Sequence, residues 1–203
     1  MATFDGGIYI PHKRKPDSKV NCKFIMNMRE ENRDYLEWVK EILENITSVS
    51  IKERPDYNTD GYERSPQLRL ESNRHPFLTK IRERIYVDNH KVIDPHMLKL
   101  MDAEALAIIF MADGGTHLTP GTKKPSSQIA LHTKGFSYAD NMALSKSIYD
   151  TLGIKSNVNR HYKYYLLNIP VKDHKKFYET VNPHVLPSFD YKFERIAPVI
   201  AGW

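Results

Sequence analysis

The stretch MDAEALAIIFMADGG, Met101 to Gly115, decides how this chain is read. Asp102 stands where a helix N-cap is wanted, and Glu104 follows at the positive end of the helix dipole. Leu106, Ile109, Phe110 and Asp113 recur at i, i+3, i+4 and i+7, so the acid shares a side with apolar residues. Ala105 and Ala112 flank that side, where small side chains let another helix approach closely. Asp113 is the anomaly, because a carboxylate in the last turn faces the negative end of the dipole, a mismatch of about 0.3–1 kcal/mol. A divalent cation held by that carboxylate and by carbonyls left free at the helix end would offset it. Gly114 is expected as a left-handed C-cap, and Gly115 lets a strand leave at once.

The turn is duplicated. DGGIYIPHKRKPDSKV begins at Asp5 and DGGTHLTPGTKKPSSQI at Asp113, each a turn followed by a basic, proline-broken hairpin. Helical spacing follows both, at Tyr35, Leu36, Val39, Ile42 and Leu43 and at Leu144, Ile148 and Leu152. Next come alternating segments. Val49 and Ile51 oppose Ser50, Lys52 and Arg54, and Leu68 and Leu70 oppose Gln67, Arg69 and Glu71. In the second half Val158 sits between Asn157 and Asn159, and YKYYLLNI, Tyr162 to Ile169, supplies a partner strand. Helices are expected to close the halves at Phe77–Ile85 and Lys175–Val181. The expected fold is α+β, two pseudo-symmetric αββαββα lobes divided as 1–99 and 100–203, with antiparallel sheets and no low-complexity linker.

Composition narrows the class. A chain of 203 residues, 40% hydrophobic, can bury a real core, and a net charge of +5 favours a polyanionic partner. A single cysteine, Cys22, excludes an internal disulfide framework and a cysteine-based zinc cluster; it reads as an inert strand residue. Nine histidines show no metal-ligand spacing, so His117 and His132 read as structural or ligand-facing, and Trp38 reads as core. There is neither a run of about 18 apolar residues nor a signal-peptide pattern. The expectation is a protein that is not secreted and has no membrane partner.

The residues at Leu106–Gly114, LAIIFMADG, resemble the LAGLIDADG homing endonucleases at Leu106, Ala107, Ala112, Asp113 and Gly114. The upstream context YVDNHKVIDPHMLKLMDAEALAIIFMADGG looks like the linker and second motif of the monomeric, two-repeat members, and VNPHVLPSFDYKF resembles the end of their second repeat. The resemblance implies two motif helices packed side by side, each giving one acid to a Mg²⁺ site: Asp5 with Gly6, and Asp113 with Gly114. It implies basic residues near that site at Lys91, in HKVIDP, and Lys192, in FDYKF. Met1 precedes Asp5 by only four residues, so the first motif helix is expected to be largely missing.

The same resemblance implies metal-dependent cleavage of both strands of double-stranded DNA at a specific sequence, by a monomer in a bacterial or phage-infected cytoplasm or an organellar matrix. Strand alternation then offers Lys52, Arg54, Gln67 and Arg69 in the first lobe as base-reading candidates, with Gln128, His132, Asn157 and Asn159 in the second. The hairpin cations Lys13, Arg14, Lys15, Lys123 and Lys124 suit phosphates. A catalytically silent descendant, binding DNA or splicing its host intron RNA as a maturase, is the alternative. A basic structural protein outside the family is a further one.

Overall fold

The computed structural model describes residues 6–11, 20–54, 66–119, 126–194 and 196. Asp5, Lys13, Arg14, Lys15, Lys123 and Lys124 lie outside the described residues. The chain forms two compact units that divide between Val87 and Asp88.

The first unit runs β1 (Gly7–Tyr9), β2 (Lys23–Arg29), α1 (Arg33–Glu44), β3 (Val49–Arg54), β4 (Gln67–Ser72), α2 (Pro76–Ile85) and the short β5 (Tyr86–Val87). Its four longer-range strands pair antiparallel in the order β1-β2-β4-β3. Alternation in KFIMNMR sends Phe24 and Met26 to one face, where they join Ile8, Leu68 and Leu70. That face is covered by Tyr35, Leu36 and Val39 of α1 and Leu78 and Ile85 of α2. Burying Leu68 or Leu70 stabilises the unit by about 1.5–3 kcal/mol each. α2 begins at a proline, where a missing N–H costs nothing, and His75 caps it by accepting from Phe77 N–H at 3.2 Å.

Two expectations for this unit need correction. Ile42 is exposed and Trp38 is only half-buried, stacked at a tilt on Tyr35 with centroids 5.8 Å apart. The buried stripe of α1 is the narrower set Tyr35, Leu36, Val39 and Leu43. Cys22 is buried just ahead of β2, with its backbone N–H donated to Thr79 Oγ1 at 3.0 Å.

The second unit runs β6 (His90–Lys91), α3 (Pro95–Leu98), α4 (Ala103–Asp113), β7 (Gly114–Thr119), β8 (Ser126–Leu131), α5 (Tyr138–Leu152), β9 (Asn157–His161), β10 (Tyr164–Ile169), α6 (His174–Val181) and α7 (Tyr191–Glu194). The antiparallel order β7-β8-β10-β9 repeats the first sheet's topology. Residues 88–98 fold with this unit, earlier than a division at 99/100, because Ile93 N–H donates to Asp140 Oδ1 at 3.3 Å and Ser147 Oγ donates to Leu98 O at 2.7 Å. α5 is set by a capping box, Ser137 with Asp140, and ends on Gly153 at φ 63.

Ile129, Leu131, Leu167 and Ile169 share one face of the sheet, on which α5 packs with Leu144 and Ile148 buried. Two polar groups inside that core are satisfied. Asn141 accepts from Thr133 Oγ1 and donates to Phe136 O and Ser137 O. His174 must donate through Nε2 to Ile169 O at 2.9 Å, which leaves Nδ1 to accept the Ser127 hydroxyl at 2.9 Å. No helix among the described residues is long and apolar enough to cross a membrane.

Candidate active site and nucleic-acid face

α4 delivers Asp113 as its final residue. Asp102 caps the start, accepting from Ala105 N–H at 2.7 Å, and Leu106, Ala107, Ile109, Phe110 and Met111 are all buried. A helix apolar on nearly every side is held by its surroundings rather than by one stripe. Asp113 is partly buried, and that burial pushes its carboxyl above the usual range, while the charges of Lys192 and Lys91 pull it back.

The end of α4 has its own cation. The ammonium of Lys192, on α7, donates to Phe110 O at 3.0 Å, Met111 O at 2.6 Å and Gly114 O at 2.9 Å. It also lies 5.6 Å from the Phe110 ring centre and 5.3 Å from that of Phe189. α7 is seated by Phe193, stacked on Phe110 at 4.6 Å, and by Thr116 Oγ1, which donates to the Lys192 carbonyl. Asp113 O accepts the backbone N–H of His132 at 2.7 Å. Four of the carbonyls expected to wait for a divalent ion, those of Phe110, Met111, Asp113 and Gly114, are therefore bonded within the protein, three of them to Lys192.

Gly114 is needed for a different reason than expected. Its φ of −86° is extended, not left-handed. A Cβ there would lie 2.2 Å from Phe110 Cδ2 and 2.4 Å from Phe110 O, so close approach and not backbone conformation selects glycine. Gly6 shows the same logic in the first unit, where a Cβ would meet the Phe24 ring at 2.2 Å.

What a cation would find can be stated from the donors. Among the described residues no three His, Cys, Asp or Glu side chains come together, which excludes a closed cage there. One accessible carboxylate, Asp113, suits a hard ion such as Mg²⁺, which keeps several waters and takes one or two carboxylates plus phosphate oxygens.

Each sheet turns its other face outward with polar residues. In the first, Lys52 and Arg69 stand opposite one another, as do Arg54 and Gln67, whose side chains bond at 3.2 Å. All four expected residues share this face. Sequence reading missed Lys23, Asn27 and Arg29, which alternate with Phe24, Met26 and Met28 and join it. Glu71 lies among these cations, paired with Lys23 and, at 3.1 Å, with Arg69. The bond from Lys23 is the main reason its carboxyl is held below the usual range, against the opposing effect of burial.

In the second sheet Gln128, Asn157 and Asn159 lie on the outward face, and Asn157 opposes the missed Asn168. His132 stands beside the end of α4, its imidazole pushed down by burial and then by Lys134, His117, Lys192 and His161. Both imidazoles lean over Gly115: a Cβ there would lie 3.1 Å from Nε2 of His132 and 3.7 Å from Nε2 of His117. The site thus joins an acid at a helix end to the border of a polar sheet face that carries Gln128, Asn157 and Asn159.

This arrangement, a motif helix leading into a four-stranded antiparallel sheet whose strand order recurs in the other unit, is matched by a family model described as LAGLIDADG DNA endonuclease family, over residues 5–177. The chain belongs to the LAGLIDADG DNA endonuclease family. Among relatives of this LAGLIDADG chain, the probable intron-encoded endonuclease 1 of Wickerhamomyces canadensis is 26% identical over 195 residues, 92% of this chain and 78% of that one. The probable intron-encoded DNA endonuclease 3 of Mycosarcoma maydis is 27% identical over 99 residues, 49% of this chain and 68% of its own. The structure of the homing endonuclease I-WcaI bound to its DNA recognition sequence superposes with a TM-score of 0.71 at 20% identity, covering 94% of this chain and 80% of that one. I-GzeII in complex with its DNA target gives 0.61 at 12% identity, covering 99% and 88%. These structures share the LAGLIDADG fold described above.

Proposed function

We propose that this protein is a homing endonuclease that makes a sequence-specific double-strand break in DNA by divalent-metal-dependent phosphodiester hydrolysis. The observation that carries this reading is the placement of Asp113: a carboxylate at the end of the motif helix, desolvated, under the charges of Lys91 and Lys192, at the border of a polar sheet face. Asp113 would hold a Mg²⁺ ion in its ionised form, and Asp5 is its proposed counterpart. When bound, the ion supplies an activated water and stabilises the departing 3′ oxygen. Lys91 neutralises charge that develops on the phosphate. The outward sheet faces bind duplex DNA, with Arg69 and Lys52 suited to guanine and Gln67, Asn157 and Asn159 to adenine. The hairpin cations Lys13, Arg14, Lys15, Lys123 and Lys124 are proposed phosphate contacts. The chain acts as a monomer in this reading, because both repeats lie in one polypeptide.

The test is cleavage selection from a randomised duplex library with Mg²⁺, with chelator, and with Asp113→Asn. Recovery of one cut sequence only by the wild type with Mg²⁺ is expected. Equal cutting in chelator, or by Asp113→Asn, overturns the metal reading. Tight sequence-selective binding without cutting by the wild type would favour a catalytically silent descendant.

A further inference from the structure

We propose that Lys192 is a positioning residue for Asp113: its ammonium clamps residues 110–114 so that the motif helix ends with its acid in one fixed direction. This rests on the endonuclease reading above. The lysine is 9% exposed, and an ammonium so far removed from water is tolerated only when its donors are met. Its three N–H groups match the three carbonyls of Phe110, Met111 and Gly114, which lie on both sides of Asp113 in the chain. Carbonyls at a helix C-terminus carry partial negative charge, so this is where a buried cation is best compensated. To meet a scissile phosphate the ammonium would have to break those bonds. Lys91 differs, being only partly buried on a two-residue strand.

The clamp also explains the adjoining contacts. Phe193 on Phe110, and Thr116 Oγ1 on the Lys192 carbonyl, hold the backbone of α7 against α4 and β7, so the ammonium approaches from one direction. Misplacement of a reacting group by about 1 Å can cost about 10²-fold in rate, so a small shift at the end of α4 suffices to silence Asp113. Arginine separates position from charge. A guanidinium keeps the charge but presents its donors in a planar fork, which cannot converge on three carbonyls around one point.

The experiment compares the full chain with Lys192→Arg, Lys192→Met and Asp113→Asn, at a temperature where near-ultraviolet circular dichroism shows each variant folded. Three quantities are read: the Kd for the selected DNA in Ca²⁺, the single-turnover cutting rate in Mg²⁺, and the rise in Tm that Ca²⁺ causes without DNA. The proposal expects the Kd of Lys192→Arg to stay within about threefold of wild type, the rate of both lysine variants to fall about 10²-fold, and the Ca²⁺ response to vanish as in Asp113→Asn. A Lys192→Arg protein that keeps the wild-type rate or the Ca²⁺ response overturns it. Should the wild type cut no DNA, the endonuclease reading fails, while the Ca²⁺ response still decides the role of Lys192. A wild type that neither cuts nor responds to Ca²⁺ overturns both.

Discussion

Lys192 Nζ donates to the carbonyl of Phe110 at 3.0 Å across 82 residues of sequence. The bond answers the misfit that the motif helix presents, an acid at the negative end of its own dipole. Lys192 supplies the positive charge at that end, and Asp113 remains available for a ligand.

Replacing Asp113 by asparagine should stabilise the metal-free protein at neutral pH while abolishing cutting. The sign follows from the raised carboxyl: the folded state holds this proton more tightly than the unfolded state, so ionisation costs stability as pH rises above the ordinary aspartate value of 3.8. Asparagine cannot ionise. Thermal melts of both proteins at pH 7 in chelator should show the higher Tm in the variant, and cleavage should fall by roughly 10²-fold or more. A lower Tm would contradict the desolvation argument.

His174 should govern part of the acid limb of stability. Burial holds its imidazole below the ordinary value of 6.5, so the unfolded chain binds the proton first as pH falls. Stability is full above about 6.5 and declines below it. His174→Gln can keep a donor and an acceptor without titrating; it should cost about 1–3 kcal/mol at pH 8 and flatten the decline below pH 6.5. His132, which is shifted the same way, contributes to the slope that remains. Urea titrations across pH read both quantities.

Gly114→Ala should destabilise by about 1–3 kcal/mol, because the new methyl meets the backbone and ring of Phe110. Asparagine, which rescues a left-handed cap, should be worse than alanine here, since the obstacle is space. Equilibrium unfolding of the two variants separates these explanations.

On the outward face of the first sheet, Asn27→Ala should cost about 1–3 kcal/mol in binding at one base pair and relax discrimination there. Lys23→Ala should weaken binding evenly across sequences and reduce the salt dependence. Glu71→Gln removes the acid that holds Lys23 and Arg69, so it should strengthen binding to unrelated DNA at low salt. Competition binding against a panel of single-substitution duplexes checks all three.

Much of the fold was readable because periodicity is a local property. The helix within Met101–Gly115 and the alternation at 49–54 and 67–72 follow from spacing and are present as expected, whereas at the Asp113 copy of the Asp-Gly-Gly repeat Gly114 is extended and begins a strand instead of forming the expected left-handed cap. The same alternation in KFIMNMR held Lys23, Asn27 and Arg29 in plain view, but a strand needs a partner register before its polar side can be matched to a face. Asn168 was hidden more deeply, since Leu166, Leu167 and Ile169 make its strand look buried on both sides; only its position opposite Asn157 and Ala130 puts it on the outward face.

The sequence by itself determined the family, the repeated element order and the acid at the helix end, because these rest on residue type and spacing within a few turns of chain. The family resemblance already placed Lys192 near that acid, but only the tertiary structure decided what its ammonium bonds to and what seats it there. Lys192, Phe193 and Thr116 are brought to the end of α4 by packing of segments far apart in sequence, and the reason Gly114 must be glycine lies in the approach of Phe110 rather than in its own φ. Dipoles and steric contacts act through space, so the residue that compensates a helix end need not be near it in the chain.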